Sequence, residues 1–183
     1  MTVQPRSWEW ATLLLGCFCA KLQANADADP TLPMPLRCCL RAGVDIPMDV
    51  NEEGFVLVDR CCEGEAYVKI SSIYPSSQAF PEPDSAALNT PCQMQMLAVS
   101  LEMGTLRCLP SDPDCVQSSE AVRLMAADAQ AAFDAVCCWV KQMKEVNRGV
   151  KWFAQGWEMG GPEGQCLSGT MQVFASIPGP CCT

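Results

Sequence analysis

Cysteine is the residue type whose number and spacing in this chain could do chemistry. There are 14 cysteines among 183 residues, and no histidine. Cys38-Cys39, Cys61-Cys62, Cys137-Cys138 and Cys181-Cys182 are adjacent pairs. Neighbours on a strand point to opposite faces, so at most one of each pair faces a core, and a bond within a pair is strained. The candidate bridging cysteines are Cys38, Cys39, Cys61, Cys62, Cys108, Cys115, Cys137, Cys138 and Cys166. One reading joins pairs to each other, such as Cys38 or Cys39 to Cys61 or Cys62, with Cys108 and Cys115 pinning a turn. The other leaves the thiols reduced as small buried hydrophobes. Redox compartment decides between them.

The missing histidine removes Ser-His-Asp and Cys-His nucleophile pairs, HExxH zinc sites and any imidazole base. Neither a P-loop nor a GxGxxG is present, and the C-x2-4-C knuckles of a thiolate zinc site are absent. The expectation is a protein that is not an enzyme and has no catalytic, cofactor or metal residues. The net charge of -9 argues against nucleic-acid binding, which needs clustered Lys and Arg. It suits a wall that DNA merely passes, because an acidic surface repels phosphate.

The elements that must position these residues centre on residues 61–108. Ala66–Pro75 alternates as a half-buried strand, with Val68, Ile70 and Tyr74 on one face and Lys69 and Ser71 on the other. A second alternating run, residues 94–108, puts Leu97, Val99, Leu101 and Met103 on one face. Between them lies a proline-rich excursion, residues 75–91, expected to be extended. It is either an arm that touches a neighbouring subunit or a solvated connection.

Elsewhere, residues 27–35 read as a connector, 36–44 and 55–58 as short strands, and 45–54 as a turn. A helix starts near Asp114 or Ser118, where Asp114 and Gln117 have capping-box spacing. Val122, Met125, Ala129, Phe133, Val136, Val140 and Met143 line its apolar face, and Asn147-Arg148-Gly149 ends it. A hairpin follows: a strand over 150–158, a loop from Met159 to Gly164, and a return strand with Leu167, Met171, Val173, Ala175 and Ile177 on one face. Residues 178–183 are a tail. With 49% hydrophobic residues, the chain has the apolar material for one domain over 1–183. The expected class is α+β, two helices packed on one face of a mostly antiparallel sheet.

Residues 1–26 have two readings. As a retained helix, Trp8, Ala11, Leu15, Phe18 and Leu22 make an apolar face that Ser7 caps. As a signal peptide, Ala11–Ala20 is the apolar region and Ala24-Asn25-Ala26 the cleavage site. Cleavage there would remove Cys17 and Cys19 and leave an even number of cysteines, as in a secreted, disulfide-rich binding protein. No stretch reaches the roughly 18 apolar residues of a membrane span.

A set of motifs resembles neck proteins of siphoviruses that infect actinobacteria. They are Cys-Cys-Glu-Gly-x-Ala-Tyr-Val at 61–68, Ile73-Tyr74-Pro75-Ser76, Phe80-Pro81-x-Pro83-Asp84, and Leu101-Glu102-Met103-Gly104-x-Leu106-Arg107-Cys108. Cys38-Cys39-Leu40-Arg41, Cys137-Cys138 after an alanine-rich helix, and Gly161-Pro162-Glu163-Gly164-x-Cys166 extend the likeness over Leu36 to Phe174. The family looks like the head-to-tail connector group, in particular the tail terminator, with the stopper or adaptor of the same neck as the alternative. The resemblance implies a small α+β ring subunit, a hexamer that caps the tail tube and docks it to the head. It also implies a retained N-terminal helix beside the second helix. Implied partners are other copies of the chain, the major tail tube protein, a head-side connector protein, and genomic DNA sliding through the lumen without specific binding. No membrane is involved. Assembly would occur in the host cytoplasm, with the protein ending in the virion and any disulfides closing late or not at all.

Overall fold

The computed structural model describes residues 6–41, 63–84, 96–109, 112–146, 149–163 and 166–178. In chain order these form helix α1 (Arg6–Ala28), strands β1 (Arg37–Arg41), β2 (Glu65–Ser76) and β3 (Met96–Cys108), helix α2 (Cys115–Val146), and strands β4 (Trp152–Glu163) and β5 (Cys166–Pro178). The strands form one sheet in the order β1-β2-β3-β5-β4. The β1–β2 pairing is parallel and the others are antiparallel. The architecture is therefore α+β, with two helices and a mostly antiparallel sheet, as the apolar patterning predicts. The expected strand at 55–58, the turn at 45–54, Cys61, Cys62, residues 85–91 of the proline-rich excursion and the tail after Pro178 lie outside the described residues.

β3 and β5 pair without interruption from Met96↔Pro178 to Cys108↔Cys166. Alternation therefore holds along both strands. Val99, Leu101 and Met103 join Met171, Val173 and Ala175 in the core beneath the helices. β2 departs from the expected alternation. Val68 and Ile70 face the helices opposite Met103 and Leu101, but the register shifts between Ile70 and Ser72. The extra residue reverses parity, so Tyr74, opposite Ala98, lies on the other face.

α1 buries Ser7, Trp10, Ala11, Leu14, Cys17, Phe18 and Leu22. Ala11, Phe18 and Leu22 are inside as expected, but Trp8 is 42% exposed and Trp10 takes the anchoring position. Ser7 lies within the helix instead of capping it. α2 opens with the expected reciprocal cap. The Gln117 N–H donates to Asp114 Oδ1 at 2.8 Å, and the Asp114 N–H donates to Gln117 Oε1 at 3.1 Å. Met125, Val136, Val140 and Met143 of its expected stripe are buried, but other members are not. Val122 and Phe133 are exposed, whereas Ala131, Ala132, Ala135 and Trp139 are buried. The alanines let α1 approach, and Trp139 fills the space beside them. Contacts fall along α2 as they rise along α1 (Trp10 with Trp139, Cys17 with Cys138, Asn25 with Ala127), so the two helices are antiparallel.

The proline-rich excursion is not extended where it is described. It turns back on β2, with the Asp84 N–H donating to the Pro75 carbonyl at 2.9 Å and Tyr74 Oη donating to the Pro81 carbonyl at 2.6 Å. The expected loop from Met159 is also strand: β4 continues to Glu163. A Cβ at Gly160 would overlap the Ser168 hydroxyl. Gly160 lies in the ladder opposite Ser168, not in a turn.

Candidate functional site

The structure distributes the candidate cysteines unequally. Cys17 bonds Cys138, joining α1 to α2 across 121 residues, and Cys19 bonds Cys38, joining α1 to β1. Cys108 and Cys166 are also in disulfides. Cys39, Cys115 and Cys137 are free. The expected pairing of Cys38 with Cys61 or Cys62 is thus replaced by Cys19, and Cys108 cannot be tied to the free Cys115. Cys17 and Cys19 lie outside the candidate bridging cysteines that the sequence singled out. Their CxC spacing on a helix sends the two thiols to different neighbours, α2 and β1.

Adjacent cysteines do separate by face. Cys38, level with Ala66, faces α1, and Cys39, level with Tyr67, faces away. There Cys39 Sγ lies 3.3 Å from Glu65 Oε1. Burial, and then the Glu65 carboxylate, pushes the Cys39 thiol above its ordinary value. A thiol held protonated is a poor nucleophile.

The sheet face away from the helices carries a buried polar cluster that the sequence pattern missed. Lys69 was expected at a half-buried strand's open face, yet it is 2% exposed, with Nζ 3.0 Å from Glu102 Oε1. Tyr67 Oη donates to the same oxygen at 3.0 Å, and Gln172 Nε2 donates to Glu102 Oε2 at 2.8 Å. Ser100 Oγ donates to Gln172 Oε1 at 3.1 Å. Beside them, Arg41 grips Glu65 through Nε at 2.6 Å and through Nη2. Burial, and then Glu102, raises the Tyr67 hydroxyl far above the usual tyrosine range. Each polar group here has a partner, which is the condition for burying it. Lys69 and Glu102 share a cross-strand level that only the register reveals.

On the helix side, Arg107 and Asp128 form a second buried ion pair. Arg107 donates through Nε to Asp128 Oδ2 at 2.9 Å and through Nη2 to Oδ1 at 2.7 Å. Thr105 adds a bond to Oδ2 at 2.8 Å, and Arg107 Nη1 reaches the Pro33 carbonyl at 2.7 Å. The pair clamps β3, α2 and the α1–β1 connector together. A cleft of about 300 Å³ lies between the end of β3 and the start of α2, lined by Leu109, Val116, Ala121 and Leu124 with Gln117 and Glu120. Its one carboxylate, Glu120, is gripped by Arg123 through both oxygens. Among the described residues no cluster of His, Cys, Asp or Glu could hold a metal ion, and no helix is long and apolar enough to cross a membrane.

What these residues leave available is the rim of the sheet. Among the described residues β1 pairs with β2 alone and β4 with β5 alone. β4 is apolar for an edge: Trp152, Phe153 and Met159 are 42%, 45% and 52% exposed. No protein-family model matches the chain, and no curated protein matches it.

Proposed function

We propose that this chain is a bacteriophage virion protein of the head–tail joint, the tail terminator that caps the tail tube and docks it to the head. The motif pattern from Cys38 to Cys166 supports that reading. The observation that carries it is the placement of α1. A terminator-like subunit needs its N-terminal segment as a permanent helix beside the second helix, and α1 lies against α2, with Trp10, Leu14, Phe18 and Leu22 in the shared core. A leader cleaved after Ala26 would take those side chains away, together with both α1 cysteines. The half-exposed apolar side chains of β4, which no described strand but β5 pairs with, suit a subunit that repeats around a ring. The role is mechanical: the chain touches copies of itself, the tail tube and a head-side connector while DNA passes. In the reducing cytoplasm its thiols are open, and the disulfides close after release.

Native mass spectrometry without reductant tests the reading. The expected species is a full-length chain in a six-fold assembly, lowered in mass by the hydrogens lost to disulfides. A polypeptide beginning near Asp27 would overturn the virion role in favour of a secreted protein.

A further inference from the structure

We infer that copies of the chain dock end to end, Trp152 of one copy entering the cleft between the end of β3 and the start of α2 in the next. This rests on the ring reading and specifies its interface. Three observations carry it.

The first is the cleft. It holds about 300 Å³ and is walled by Leu109, Val116, Ala121 and Leu124. That is the small end of the range for binding pockets, room for about one large side chain. Its polar groups are engaged by their own neighbours: Arg123 grips Glu120, and Gln117 Oε1 accepts the Asp114 N–H. An apolar hole of this kind suits an aromatic ring, which gains by leaving water.

The second is the ring that the same chain leaves in water. Trp152 is 42% exposed, and Val146 before it is exposed too. Trp152 is level with Ala175, a core residue, so it lies on the helix side of the sheet, the side on which α2 walls the cleft. Along β5, Ala175 stands nine residues from Cys166, which is level with Cys108 beside the cleft. At roughly 3.4 Å per residue, Trp152 and the cleft are about 30 Å apart, at opposite ends of the sheet. One copy can therefore use both at once. The two ends differ, so the contact is head-to-tail, the kind that closes into a ring when the rotation allows.

The third is charge. The chain carries a net charge of -9, yet residues 141–153 hold four of its 12 Lys and Arg against one carboxylate, Glu145. Lys144 and Lys151 are exposed at the Trp152 end. Glu82 and Asp84 share that end of the sheet but lie beside β2, across β3 and β5 from β4. At the cleft end the sign reverses. Residues 112–120 hold Asp112, Asp114 and Glu120, all exposed, and no cation. The next one, Arg123, is taken up by Glu120 and Asp29. A basic, aromatic end thus meets an acidic rim, which steers unlike ends together and rejects like ones.

The test uses two blocked full-length chains, followed by native mass spectrometry and sedimentation. Trp152→Ser removes the ring and keeps the cleft. Val116→Lys, at a side chain 76% exposed, sets a cation at the cleft and keeps the ring. Each alone should associate about tenfold more weakly than the wild type, with unchanged circular dichroism. Mixed in equal amounts they should form a dimer and nothing larger, because one intact Trp152 meets one intact cleft. Lys151→Glu should also weaken association, Asp112→Lys in the same chain should recover part of the loss, and added salt should weaken the wild-type contact. Blocked chains that assemble like the wild type overturn the end-to-end contact and leave the ring reading standing. So does a mixture of folded blocked chains that stays monomeric. A labelled DNA duplex that binds the wild type through Trp152 and Lys151 in place of a second copy assigns that end to nucleic acid and overturns the contact. A wild-type chain that stays monomeric at its highest soluble concentration overturns the contact and the ring reading together.

Discussion

Trp139 donates its indole N–H to the main-chain carbonyl of Trp10 at 3.0 Å, across 129 residues of sequence. Trp139 is fully buried and Trp10 is 6% exposed. The bond fixes the height of α1 on α2, and both residues belong to the buried core. Replacing Trp139 by Ala should destabilise the fold by about 3–5 kcal/mol, from lost burial and an unfilled cavity. Trp139→Phe should cost less than the alanine change, since it keeps an aromatic ring and loses the donor. Urea unfolding of the three chains measures both. Equal stabilities would show that α1 is not seated on Trp139.

Asp128 is the acceptor on which Arg107 and Thr105 converge, and it is 2% exposed. Removing its carboxylate would take from the buried Arg107 guanidinium the acceptor of two of its hydrogen bonds. Asp128→Ala should therefore cost about 3–5 kcal/mol, far more than an exposed ion pair such as Arg123–Asp29. The double change Arg107→Met with Asp128→Leu should recover much of that loss. A mild effect of Asp128→Ala in thermal unfolding would mean that water reaches the arginine.

Much of this architecture was legible in the sequence because β3 and β5 alternate without a break. Leu101 and Val173 alone nearly dictate which face is inside. The misplaced residues have specific causes. One extra residue at the β2 bulge turned Tyr74 over, and no local pattern announces it. Trp8 and Trp10 each begin a plausible stripe on α1, and the choice depends on where α2 sits. Phe133 fits a helical stripe as well as Trp139 does. The Ala131, Ala132 and Ala135 run, which permits close helix packing, decides for Trp139. Lys69 is expected on the open face of β2, and its cross-strand pairing with Glu102 becomes visible only when register is known. The β4–β5 turn was placed early because Gly160 and Gly161 resemble loop residues, although Gly160 meets Ser168 across the ladder.

The Cys17–Cys138 bond closes a long loop, so it should limit the unfolded chain strongly. Changing Cys17 and Cys138 together to Ala should lower stability by about 2–4 kcal/mol under oxidising conditions and have a much smaller effect in excess dithiol. Cys137, exposed and free beside Cys138, supplies the control. Cys137→Ser should leave unfolding unchanged in both conditions. If it instead abolished the oxidised chain's advantage, the bridge would run through Cys137.

The hydroxyl of Tyr67 makes a pH prediction whose sign follows from its surroundings. Burial first, and then the Glu102 carboxylate it donates to, raises its pKa above the ordinary tyrosine value. In the unfolded chain the same phenol ionises near pH 10, about the free value. Below that pH both states keep the proton and Tyr67 contributes fully to stability. Above it the unfolded chain releases the proton while the folded chain holds it, so stability falls as pH rises toward the folded value. The chain has two tyrosines, Tyr67 and Tyr74, and burial raises Tyr74 as well. Phenolate absorbance should therefore stay low past the ordinary tyrosine midpoint, then appear together with loss of the fold. Tyr67→Phe should lower stability at neutral pH by about 1 kcal/mol through the lost bond to Glu102. It should also flatten the alkaline decline. A reversible phenolate signal with an ordinary midpoint in the folded protein would mean that water reaches the Tyr67 hydroxyl and that the Glu102 cluster is open.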